Sequence, residues 1–423
     1  MQISPTTQSE REYQQQIARN LPRNFSAQLA HGLLGQTGFR LINAPTFLPA
    51  YILLLSGGSD FAVGLTLALQ SLGMCLTPLI GAHLIEHRKR VLPPGFLIGS
   101  GMRVCVLVIA LAGWLLPAPA ALILIQVFIL FMGMFSGIQG VIFNVLMSKV
   151  IPVRKRGRLT GYRNFLAGLT SAIVAGVGGF YLIGEHPDAT GYSLLFGLAF
   201  ILTSIGLAML LFVREPEPPN TLARTPLFTR LSQLPALMHD DPAFTRYFLA
   251  RSVTTMGRMA MPFYILYVGT TLHLSGQTLA LITITFTISA TVSNLLWGFI
   301  ADRRGFRFTF LLSVVLWIAA TLMLLLGSGM ILTIIVFAAI GAATQGFMSA
   351  SQNLTLEFGH RNDLPMRIGI ANSCSEFAGA LGPLLGGLLA TFYGYEMVFW
   401  VSAAFLTVGA TVVLRSVPEP RFV

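Results

Sequence analysis

The chain has 423 residues, 54% of them hydrophobic and only 10% charged, with a mean hydropathy of +0.73. A soluble domain carries about 25% charged residues, so this composition excludes a soluble enzyme, a nucleic-acid-binding protein and a disordered chain. The net charge of +11 calls instead for a membrane explanation, in which basic residues gather in the loops of one side. The first 26 residues are polar, with Arg11, Arg19 and Arg23 and no early apolar core. They read as a cytoplasmic tail and not as a cleaved signal peptide. Cys75, Cys105 and Cys374 all fall in apolar runs, without disulfide or metal-ligand spacing. No cofactor is expected.

Twelve apolar runs follow, each close to the roughly 20 residues that cross a bilayer as a helix. They lie at 27–54, 62–85, 94–116, 119–148, 159–183, 190–213, 245–270, 276–301, 307–327, 329–356, 366–390 and 395–415. The strands of a barrel would be about ten residues long and alternating, so the expected fold is all-α and membrane-integral. The longest polar interruption separates six segments from six. The expected organisation is a tail (1–26), a six-helix bundle (27–213), a cytoplasmic linker (214–244), a second bundle (245–415) and a tail (416–423).

Lys and Arg fix the expected orientation. The loops on the side of the termini hold 23 of the 27 basic residues, and the opposite loops hold none. Both termini are therefore expected in the cytoplasm, with the protein multi-pass in the cytoplasmic membrane. The other four, Arg40, Arg103, Arg251 and Arg258, fall within segments.

The halves correspond to each other. Arg40 lies 16 residues before Ser56 and Arg258 lies 17 before Ser275; Gln139 and Gly140 echo Gln345 and Gly346. Gly161 and Asn164 match Gly369 and Asn372 at identical spacing. Between segments 8 and 9 stand Gly298, Asp302, Arg303, Gly305 and Arg307. Their spacing resembles the signature loop of the major facilitator superfamily, G-x-x-x-D-R-x-G-x-R, and the resemblance extends to the 6+6 layout of the whole chain. The first-half copy, with Gly81, Glu86, Arg88, Lys89 and Arg90, is degenerate. The resemblance implies a secondary transporter whose two halves alternate around a midplane site. Asp302, capping a helix end near Arg303 and Arg307, would make a charged latch that breaks as the halves rock. The three arginines, with Arg304, serve equally well as positive-inside anchors.

Ionisable side chains near the bilayer centre are costly and call for an explanation. Arg40 shares one helical face with Gln36 and Asn43 at i−4 and i+3, and Arg258 shares one with Arg251, Thr254 and Thr255. Such stripes suit cavity-lining helices, and Gln139 and Gln345 are the further candidates for substrate contact. The alternative is that each arginine is neutralised by a buried acid, or by carbonyls near Pro45 and Pro262. Glu376, near mid-depth in segment 11, reads either as a proton carrier or as the counter-ion of Arg40 or Arg258. His31 and Arg103 are expected at the interface, Arg103 by snorkelling.

The expected function is transport of a small organic anion held between Arg40 and Arg258, coupled to protons or to a counter-anion, by a monomer in the lipid bilayer. A second reading is proton-driven efflux of drug-like or lipidic compounds. Gly379, Gly382, Pro383, Gly386 and Gly387 resemble a motif that drug antiporters carry in segment 5. Here segment 5 lacks the proline, and Ser136 stands where those antiporters carry a motif arginine. A membrane-embedded transferase would need clustered acids, histidines or cysteines. Asp60, Glu185, His186, Asp188 and Glu396 are scattered singly, and Glu86 with His87, His239 with Asp240 and Glu357 with His360 are joined by no second catalytic candidate.

Overall fold

The computed structural model describes residues 5–85, 87–217, 241–327, 329–358 and 364–419. Most of the expected linker, and the positions of Glu86, His239, Asp240 and His360, lie outside the described residues. Among those described, every regular element is helical. The helices are α1 (Pro5–Ile42), α2 (Phe47–Leu55), α3 (Asp60–Ile85), α4 (Leu92–Leu115), α5 (Ala118–Val150), α6 (Val153–Val177) and α7 (Ala189–Ala208). The second half has α8 (Pro242–Met256), α9 (Met261–Val268), α10 (Gly276–Leu324), α11 (Met330–Glu357), α12 (Leu364–Tyr393) and α13 (Tyr395–Ser416). Nine described helices are long and apolar enough to cross a membrane, or ten when α1 and α2, bent by 41°, count as one span. Leu97, Ile123, Leu295, Leu326 and Ile331 are well exposed, which in water would be an aggregating surface and in a bilayer faces lipid.

From Pro5 the expected tail is helical and runs unbroken into the first apolar segment. Asn24 locks this stretch down, donating to the Arg214 carbonyl at 3.0 Å and accepting from the Arg214 N–H at 2.9 Å.

The first helix of each half breaks near its middle. Pro45 follows Ile42, the last residue of α1, and a 3₁₀ turn, Gly257–Ala260, separates α8 from α9 just before Pro262. A proline supplies no N–H and clashes with the preceding turn, so a helix reaching it bends or stops. Arg40 occupies the last turn before the first break and Arg258 lies within the second.

Helix α10 would be roughly 74 Å long if straight, more than twice the ~30 Å hydrocarbon core. It folds back at Gly305, whose φ of 84° and ψ of 167° suit glycine alone. Trp297 from one arm and Ser313 from the other then meet at Gly346 of α11.

Each half closes this end with an acid two residues beyond a buried valine, Val213 or Val417. Glu215 accepts from the N–H groups of Val91 (2.8 Å) and Leu92 (2.9 Å) at the start of α4, and from Lys149 Nζ at 3.3 Å. Glu419 accepts from the Arg307 N–H at 2.9 Å, at the start of the second arm of α10. The Glu215 side chain is 2% exposed, so Glu215→Ala orphans two helix N–H groups and leaves the half-buried Lys149 ammonium with the Lys89 carbonyl alone. The expected loss is about 3 kcal/mol, read as a fall in melting temperature of roughly 5–10 °C. Glu217→Ala is the control: its pair with Arg90 is 47% and 63% exposed and contributes about 0.5 kcal/mol or less. Equal effects of the two substitutions would refute the capping role.

Among the described residues the halves share a hydrophobic core at one end only. There a single apolar cluster runs across both, from Phe47, Tyr51 and Tyr192 to Phe263, Tyr264 and Phe399. At the end bearing the termini the core divides into one cluster per half, around Leu146 and Val213 in the first and around Phe310 and Phe347 in the second. At the closed end Gly276 N–H donates to the Gly184 carbonyl at 2.6 Å, Tyr395 Oη to Asp60 Oδ1 at 2.7 Å, and Thr46 and Thr283 share a 2.6 Å hydrogen bond. A Cβ on Gly64 would collide with the Pro383 carbonyl, so the glycine-rich stretch of α12 packs as closely as its composition implies.

Candidate functional site

Arg40 reaches across the divide. Its Nη2 donates to the Asn164 carbonyl of α6 at 3.3 Å, and its Nη1 to Thr291 Oγ1 of α10, in the other half, at 3.4 Å. Charge-assisted hydrogen bonds are usually 2.7–2.9 Å long. Both contacts are therefore weak, and no acid pairs with this half-buried guanidinium among the described residues. Gly168 makes the room, since a Cβ there would strike Thr291 and lie 2.9 Å from Arg40 Nη1. Asn43, exposed in the helix break, accepts from Gln70 Nε2 at 2.6 Å and is thereby tied to α3.

Arg258 is half-buried, and no hydrogen bond or ion pair engages its side chain among the described residues. Its stripe-mate Arg251 is buried and satisfied, donating to Thr355 Oγ1 and to Asn372 Oδ1, both at 3.1 Å. Asn372, matched to Asn164 by the internal repeat, thus holds a different arginine through its side chain. Gln345 is half-buried on α11.

Glu376 lies where α12 crosses α3. A Cβ on Gly379 would sit 3.3 Å from Ser71 Oγ and 3.7 Å from Glu376 Oε2, and one turn away Cys75 Sγ donates to the Ser373 carbonyl at 3.4 Å. Among the described residues no arginine forms an ion pair with it in this conformation.

The loop at Gly305 differs from expectation in its acid. Asp302 is exposed and makes no hydrogen bond or ion pair among the described residues; the capping carboxylate is Glu419. Gly298 is open to its surroundings, Arg303 lies over the Phe299 ring at 4.1 Å, and Arg307 donates to the Val413 and Leu414 carbonyls. All these partners belong to the second half. The paired Val-x-Glu spacing at 213–215 and 417–419 was the sequence signal for the cap.

A cavity of about 180 Å³ opens within the first half, lined by Gln36 and Gln139 but by neither Arg40 nor Arg258. It also takes in His31, Arg103 and Arg163, and here the interfacial expectation fails. Relative exposures are 7% for His31, 3% for Arg103 and 4% for Arg163. Arg103 does not snorkel: Nε donates to the Thr203 carbonyl at 3.2 Å, and Nη1 to the Gly99 carbonyl at 2.9 Å and Gln139 Oε1 at 3.3 Å. Arg163, one of the 23 basic residues expected in the loops on the side of the termini, lies inside, 4.3 Å from the Phe143 ring centre. The available signal was depth, because Arg103 stands eleven residues into α4.

Two comparisons with solved structures reproduce this architecture. A nucleoside transporter superimposes with TM-score 0.73 over 92% of this chain and 99% of its own, at 13% identity. A xylose transporter of E. coli, in a partially occluded inward-open conformation, does so with TM-score 0.71 over 95% and 98%, at 12% identity. In sequence, the chain is 33% identical over 154 residues to the multidrug resistance protein MdtG of Salmonella arizonae, a match spanning 35% of this chain and 37% of that protein. MdtG of Serratia proteamaculans is 31% identical over 167 residues, 40% of its length. The sequence model of one family matches twice in tandem, over residues 34–256 and 247–422. With helices, repeat and closed end in agreement, the chain belongs to the Major Facilitator Superfamily and is a membrane transporter, not an enzyme.

Proposed function

We propose that this secondary transporter carries a small organic anion by alternating access and that the conformation described here is the inward-facing one. The observation that carries the anionic reading is Arg40. It is a guanidinium at a helix break near mid-span, contacting both halves through two long hydrogen bonds and no acid. An anion with two acceptor oxygens would satisfy its fork, with Arg258, at the matching break of the second half, as the partner charge. Glu376, which pairs with no cation among the described residues, is the candidate proton carrier, and dividing α10 at Gly305 and joining α8 to α9 supports a count of twelve spans. The test is uptake by proteoliposomes of labelled carboxylates and organophosphates against neutral isosteres of the same size. Uptake of neutral compounds alone overturns the anionic reading.

The MdtG names favour a second reading, extrusion of drug-like compounds, and the same vesicles assayed with a hydrophobic cation decide between the two. Inward-facing also rests on the termini being cytoplasmic. A cysteine at exposed Lys89 is expected to resist a membrane-impermeant reagent added to intact cells, and one at exposed His186 to react. The opposite pattern would invert the orientation.

A further inference from the structure

The arginines of the first-half cavity have no role in the reading above. Arg163 is 4% exposed, its Nε has no hydrogen-bond partner among the described residues, and its guanidinium lies 4.3 Å from the Phe143 ring centre. Arg103 commits Nε and Nη1 to oxygens, while no hydrogen bond is made by Nη2, which points toward the lining residue Gly35. Among the described residues no Asp or Glu lines the cavity. Two buried guanidinium groups in one low-dielectric space repel each other and stay charged, so the arrangement lacks an anion.

The space is built for these groups. A Cβ on Gly32 would occupy the Arg163 side chain, and one on Gly99 would come within 2.9 Å of Gln139 Nε2 and 3.2 Å of Arg103 Nη1. At Gly140, by contrast, a Cβ would meet nothing within 4 Å, so the cavity is open there. Phe39, Met102 and Phe143 supply an apolar wall. The volume of about 180 Å³ is below the roughly 300 Å³ at which pockets for drug-sized ligands begin.

We propose that Arg103 and Arg163 form an anion site of their own, separate from Arg40, which takes a carboxylate or phosphate head group bearing a short apolar body. The unused N–H groups of both forks bind the oxygens, and the aromatic wall covers the body. The site lies roughly 6–14 Å along α1 from Arg40, measured from Gln36 to His31, on the side of the termini. In the inward-facing conformation it can fill from the cytoplasm.

The experiment is calorimetric titration of the purified full chain with benzoate, phenyl phosphate and neutral benzamide, performed in the Arg40→Ala background. Loss of the Arg40 site then leaves this one to be read, and failure of the transport reading does not touch the result. At least one anion is expected to bind and benzamide not to. Adding Arg163→Gln should raise Kd at least tenfold. Gly140→Leu should do the same by filling the mouth, with no buried group removed and the fold therefore retained. Competition by dihexanoyl phosphatidylglycerol assigns the head group to a lipid, and its absence assigns it to a soluble anion. The proposal is overturned if neither anion binds, if benzamide binds equally well, or if binding survives Gly140→Leu unchanged.

Discussion

Replacing Arg40 with alanine is expected to lower uptake of the transported anion ten- to hundredfold while leaving the melting temperature close to that of the wild type. Hydrogen bonds to a charged group contribute about 1.5–3 kcal/mol, and each 1.4 kcal/mol is a factor of ten. Stability is spared because Arg40 makes only two long hydrogen bonds and pairs with no acid, so its removal strands no opposite charge. Arg40→Lys keeps the charge but loses the planar fork, and its uptake should fall between the two. The readout is initial uptake into proteoliposomes, with reconstitution efficiency and melting temperature as controls. Wild-type uptake of an identified anion by a folded Arg40→Ala protein would reduce the residue to scaffolding.

Gly276→Leu is expected to abolish transport altogether, through the closed end and not through the substrate. Gly276 begins α10, donates to the Gly184 carbonyl at 2.6 Å, and sits so close that any Cβ would collide with the Gly179 carbonyl and lie 2.7 Å from the Gly184 backbone. Its neighbour is the π-helical turn Gly178–Ile183, a wide turn common at functional sites. A leucine cannot be absorbed by a rotamer change when the obstacle is backbone, so the two halves must part at this end. Thr46 and Thr283, buried at 0% and 2% and bonded to each other across the halves, report the opening. In a background without Cys75, Cys105 and Cys374, Thr283→Cys should react with an impermeant reagent at least several-fold faster when Gly276→Leu is also present, because the wild type opens this end only in part of its cycle. An unreactive cysteine together with normal transport would show that this contact is no gate.

Several features were legible along the chain because each depends on one helix at a time. Span length and apolarity gave the all-helical membrane class. The matching positions of Arg40 and Arg258 marked the internal repeat, and Pro45 and Pro262 marked the breaks beside them. The reversal between segments 8 and 9 was legible too, since Gly305 stands in the short charged stretch between two apolar runs.

What needed the folded chain was every property set by a neighbour distant in sequence. Hydropathy ranks Arg103 and Arg163 as charges near a segment end, but their burial is decided by the carbonyl of Thr203, by Gln139 and by the ring of Phe143. The capping acid is Glu419 and not Asp302, because the helix end at Arg307 is reached by a segment 112 residues away. Which end of the molecule is shut likewise depends on backbone contacts such as Gly276 with Gly184. Composition and periodicity determine which residues can lie in a membrane and where helices bend. Only packing between helices determines which charges are left without partners, and those are the charges a ligand can use.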